Sequence, residues 1–140
     1  MVTPAGSKSV SRLARLRVLS TVAALVLVAG LFIGGAQPVA VGLLTEPWDK
    51  VAHAVVFGVL AVLLGLACND AHLLHGRSAL GPNQALALAA VLTMLVAGAD
   101  EIHQIWLPGR MAGWDDWLAD VAGMAVGLMG LRWVLHIHDI

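Results

Sequence analysis

Four apolar stretches make up most of this chain, and each is long enough, or nearly so, to cross a bilayer. They run over 18–35, 51–68, 84–106 and 118–137, where a spanning helix needs roughly 17–25 residues. The third is apolar only from Ala85 to Ala99 and reaches that length by continuing as helix through Asp100 to Trp106. The fourth is broken by Asp120, Arg132 and His136. A helix satisfies its own backbone donors and acceptors in hydrocarbon, so the expected fold is all-α, an integral membrane bundle of four transmembrane helices. Composition agrees. The chain is 59% hydrophobic and 12% charged with a mean hydropathy of +0.86, whereas about a quarter of a soluble domain is charged.

Half of the eight Lys and Arg residues, Lys8, Arg12, Arg15 and Arg17, fall in the first seventeen positions. Basic residues favour the cytoplasmic side, which puts the N-terminus inside and, after four spans, the C-terminus inside as well. Arg77 and Arg132 agree with that orientation. Residues 1–17 are therefore expected to form a mobile basic cytoplasmic tail able to lie on anionic lipid, and residues 18–140 a single membrane domain. The basic stretch, apolar run and Gly34-Gly35-Ala36 also resemble a signal peptide, but a signal core is about 7–15 residues. The run here has eighteen and is read as a retained helix. Trp48, Trp106, Trp114 and Trp117 fall at ends facing the outer side, at the level where amphipathic rings settle, and Trp133 lies near the inner side. The connections leave no room for a soluble domain. Nucleic acid is not an expected partner, and Cys68, the single cysteine, excludes a disulfide framework or a cysteine-based zinc site.

The polar residues gather at three helix ends. The second helix opens with DKVAH, putting Asp49 and His53 four apart on one face, with Lys50 between them. The third closes with DEIHQ, where Asp100, His103 and Gln104 share a face and Glu101 points to one side. The fourth opens with DDWLAD, stacking Asp116 above Asp120. Pro108 stops the third helix and Gly109 permits a sharp turn, so Arg110 is thrown back toward the membrane boundary. Its charged fork of donors suits a carboxylate or a phosphate.

These motifs resemble the VanZ-like family of small bacterial membrane proteins. The resemblance rests on DKVAH followed by Phe57, on DEIHQIWLPGR, and on Asp116, Asp120 and Gly123 in DWLADVAG, and it covers roughly residues 47–131. Gly113 stands where many members have a serine, and Ala54 replaces a common aromatic. The resemblance implies a bacterial cytoplasmic membrane protein with a link to teicoplanin susceptibility and no assigned biochemical activity.

The candidate ligand-binding set is Asp49, Lys50, His53, Asp100, Glu101, His103, Gln104, Arg110, Asp116 and Asp120, with Arg110, Asp100, Glu101 and Asp116 expected to matter most. One reading is a structural network, since ionisable groups near hydrocarbon commonly pair with one another. Acids outnumber Lys50 and Arg110, however, and favour a ligand. A lipid headgroup or lipid-linked cell-envelope precursor at the outer face is the first choice, bound directly or through a divalent ion. The alternative is a membrane-embedded hydrolase or transferase acting on a lipid phosphate, with His53 or His103 as general base or acid. Its nucleophile would be water, because Thr45 is the one hydroxyl in the outer connections. Asp49, His53, Glu101 and His103 offer metal-ligating atoms, but Glu101 and His103 lie on different helical faces, and no cofactor is expected. A proton pathway has nothing to hop along, because 54–68 and 85–99 carry no charge. His72, His75, His136 and His138 belong to the inner side, the last two in a solvated tail. Gly123 and Gly127 form a GxxxG pair, with Ala119 before and Gly130 after, that permits close helix approach. Gly58 and Gly65 supply the facing groove, so the second and fourth helices are expected to pack together. A homodimer through Gly123 and Gly127 is the competing use.

Overall fold

A computed structural model describes residues 5–69 and 80–137. His72, His75, Arg77 and His138 lie outside the described residues, as does the side chain of Lys8. The chain forms α1 (Ala5–Gly35), a short 3₁₀ turn (Pro38–Ala40), α2 (Trp48–Asn69), α3 (Pro82–Ile105) and α4 (Trp114–Ile137), with no strand among the described residues. All four helices contain spans long and apolar enough to cross a membrane, that of α1 beginning at Ala14.

The starts of α1 and α4 differ most from expectation. α1 begins at Ala5, so most of the expected basic tail is helical. No glycine or proline occurs from Ser7 to Ala29, and once a helix has nucleated each further residue adds a hydrogen bond. α4 begins at Trp114, four residues before the expected start, with Asp115 and Asp116 in its first turn, where carboxylates favour the positive end of the helix dipole. α3 opens with Pro82, whose missing N–H is no loss at that position. The Gly81 N–H donates to the Gln84 side chain at 2.8 Å.

α2 is the centre of the bundle, packing most extensively on α4, then on α3 and α1. The buried core joins Ala24 of α1, Phe57 and Leu60 of α2 and Ala97 of α3, with Trp117 of α4 packed against it. Leu25, Val26, Leu95, Val126 and Met129 face outward and are exposed, as helices covered by lipid chains require.

The expected pairing of α2 with α4 is present and unusually close. A Cβ on Gly123 would run into the Ala54 carbonyl, and one on Gly127 would meet the Gly58 carbonyl. A Cβ on Gly58 would lie 3.0 Å from the Gly123 carbonyl oxygen. Gly58 thus supplies part of the groove, as expected, together with Ala54. Gly65 acts differently, leaving room for the Leu131 side chain instead of a close backbone.

Backbone atoms, unlike a side-chain tip, have no easy direction of retreat. Gly123→Ala is therefore expected to destabilise the bundle by about 1–3 kcal/mol, the usual range for overpacking. Gly130, with nothing within 4 Å of its missing Cβ, serves as the control. Gly130→Ala should be neutral or stabilising, since alanine is favoured over glycine in a helix interior. Equilibrium unfolding of the two variants in detergent checks both, and equal behaviour would contradict the close approach.

Candidate functional site

The start of α2, the end of α3 and the start of α4 meet at one end of the bundle. One helical turn separates Asp49 from His53 and Asp116 from Asp120, so the polar residues fall into a shallow tier and a deep tier.

In the shallow tier Lys50 is surrounded. Its Nζ lies 2.7 Å from Asp115, 2.9 Å from Glu46, 3.4 Å from Asp116 and 3.5 Å from Asp49. Glu46 and Asp115 are largely exposed, and such pairs are individually weak. Together they commit Lys50 to the protein's own acids. Neither Glu46 nor Asp115 was in the expected site. The i, i+4 spacing of Glu46 and Lys50 was a usable signal, whereas the contact of Asp115 with Lys50 depends on how α4 faces α2.

The deep tier holds no lysine. Asp120 is 1% exposed, and His53 Nδ1 shares a hydrogen bond of 2.9 Å with its Oδ1. The fully buried Phe57 stacks beneath the His53 ring, with centroids 6.4 Å apart and planes 8° from parallel. Asp100 is also buried and accepts a 2.9 Å bond from the Gln104 side chain one turn on. Glu101 Oε2 accepts from the Gly113 backbone N–H at 2.8 Å. Because that donor is backbone, the contact needs no serine at 113. Asp49 Oδ1, Glu101 Oε1 and Asp120 Oδ2 are buried without a hydrogen-bond partner. A ligand-capable atom from each of His53, Glu101 and Asp120 falls within one 4.8 Å group.

Arg110 and His103 are placed elsewhere. Gly109 adopts φ +79°, and its missing Cβ would stand 3.0 Å from the Val41 side chain. The turn therefore lies against the 41 region and carries Arg110 toward α1. Its Nη2 donates to the Gly35 carbonyl at 3.3 Å, one of the orphan acceptors at a helix C-terminus. Its Nε is buried without an acceptor. Among the described residues no carboxylate forms an ion pair with Arg110, and Lys50 takes the acids instead. His103 packs against Phe32 of α1, ring centroids 5.1 Å apart, on the α1 side of α3.

Removing the one cation of the shallow tier leaves carboxylates facing one another. Lys50→Met is expected to lower the unfolding temperature, with the gap to the parent narrowing as salt rises and screens the repulsion. Thermal unfolding at low and high ionic strength checks this, and a salt-independent gap would contradict it.

The comparisons with known proteins fit this picture. The family described as VanZ/LLP1 matches residues 5–135, nearly the whole chain. No curated protein and no solved structure matches. Four apolar helices and a polar site built from DKVAH, DEIHQIWLPGR and DWLADVAG thus coincide with a match that runs from α1 into the last turn of α4, and the chain belongs to the VanZ/LLP1 family.

Proposed function

We propose that the protein binds and handles the anionic headgroup of a membrane lipid or lipid-linked envelope precursor at the outer face of the bacterial cytoplasmic membrane, with both termini inside. The observation that carries this reading is Arg110. It is a permanently charged fork of donors held at a membrane boundary, bonded to one carbonyl and free of any carboxylate ion pair among the described residues. Such a group near hydrocarbon calls for an anion, and a phosphate matches its geometry.

The α2–α4 face adds support. An apolar groove of about 550 Å³ runs between the two helices, lined by Val51, Ala54, Val55, Val59, Ala122 and Val126 among others. It begins one residue past Lys50 and is lined by α2 and α4 alone, so it offers a lipid chain a place at the polar end of the bundle without reaching Arg110, which is turned toward α1. Ala54, with its small side chain, lines that end of the groove. Occupation of an envelope precursor by such a protein would also connect it to glycopeptide susceptibility. A second reading, hydrolysis or transfer at a lipid phosphate, draws on the His53–Asp120 pair, in which a carboxylate orients the ring as general base catalysis requires.

Native mass spectrometry of the parent and Arg110→Ala, prepared from the same membranes, tests the headgroup reading. A selectively retained phospholipid or lipid-linked phosphate in the parent, reduced at least tenfold in Arg110→Ala, is the expected result. Equal lipid in both proteins, with Arg110→Ala folded as judged by its unfolding temperature, would overturn it.

A further inference from the structure

We propose that His53, Glu101 and Asp120 form a binding site for one divalent transition cation, of the zinc or manganese(II) class, in the deep tier between α2, α3 and α4. The three residues come from three helices, and no two of them are neighbours in sequence. The tertiary fold alone brings them together. One ligand-capable atom of each lies within 4.8 Å of the other two. Tetrahedral bonds of about 2.0–2.1 Å to a zinc ion place ligand atoms about 3.4 Å apart, so the group draws in by at most about 1.4 Å on binding.

The strongest sign is what the carboxylates lack. Asp120 is 99% withdrawn from solvent by its 1% exposure, and its Oδ2 has no donor. Glu101 Oε1, on a different helix, is buried and unpartnered as well. Two unpaired carboxylate oxygens against one imidazole are costly to bury, and buried charges of this kind are paired or bind a metal. Lys50 is not available, being held in the shallow tier by four acids. Arg110 is not available either, being bonded toward α1.

The remaining contacts hold the three residues in position. Glu101 is fixed through its second oxygen by the Gly113 N–H, Phe57 stacks on His53, and Asp120 meets His53 through Oδ1. Imidazole with carboxylate donors suits zinc or manganese better than calcium or magnesium, which prefer all-oxygen shells. Three protein ligands leave positions open for water or a ligand oxygen. The site stands on this geometry and does not depend on the headgroup reading.

The test uses the full chain purified on a tag without histidine, equilibrated with zinc chloride or manganese chloride in turn, desalted and analysed for metal by mass spectrometry. About one equivalent of one of the two metals is expected in the parent, with a rise in unfolding temperature on metal addition. Glu101→Gln is expected to lose at least nine-tenths of the metal and the thermal shift. Asp120→Asn should do the same, and where it does not fold, Glu101→Gln carries the test alone. Asp115→Asn, in the shallow tier and not one of the three ligands, should load as the parent does. No stoichiometric metal in the parent, or equal loading in a folded Glu101→Gln, would overturn the proposal.

Discussion

The backbone of α4 reaches the backbone of α2 because Gly123 has no side chain to keep it from the Ala54 carbonyl. Lipid chains are as apolar as the helices themselves, so close packing must supply much of the attraction between membrane helices. The same contact governs the site. His53 sits one residue before Ala54, and Asp120 lies three residues before Gly123. Where the two backbones touch, the imidazole and the carboxylate necessarily meet, and they do so at 2.9 Å.

Charge is then divided between two depths. Near the helix ends, where Glu46 and Asp115 remain largely exposed, one lysine answers four acids. One turn deeper, three carboxylates and a histidine gather with no lysine or arginine in ion-pair contact among the described residues. Burying an ion is expensive without a well-placed partner, and the expense rises with depth. Gln104 and the Gly113 N–H each satisfy one carboxylate oxygen there. Other oxygens stay unmatched, and the proposed cation site rests on this shortage. Arg110, turned toward α1 by the Pro108–Gly109 bend, has the opposite shortage, a buried donor without an acceptor.

Much of this was legible in the sequence wherever it depended on local pattern. Four apolar runs announced four helices, GxxxG announced the tight α2–α4 pair, and the acids of DKVAH, DEIHQ and DDWLAD announced a shared polar end. Interactions set by helix rotation were not legible. Nothing in the spacing of His53 and Asp120, 67 residues apart, marks them as partners. Arg110 was expected among the acids because the turn returns toward the boundary, but the sequence does not say which neighbour it returns to. His103 shares a helix face with Asp100 and Gln104 on a simple wheel, yet it lies at the edge that meets Phe32. The early start of α4 follows from its acidic first turn, a local signal that apolar length alone does not carry.

The central claim is that the α2–α4 contact assembles one polar network across separate helices, and the His53–Asp120 pair is its most direct reporter. A double-mutant cycle with His53→Ala, Asp120→Ala and the double variant, followed by equilibrium unfolding in detergent, measures the coupling between them. Residues in hydrogen-bond contact couple by about 0.5–3 kcal/mol, and the account predicts a value in that range. Additive effects, with no coupling beyond error, would mean that the two side chains do not meet and would contradict the arrangement on which the site rests.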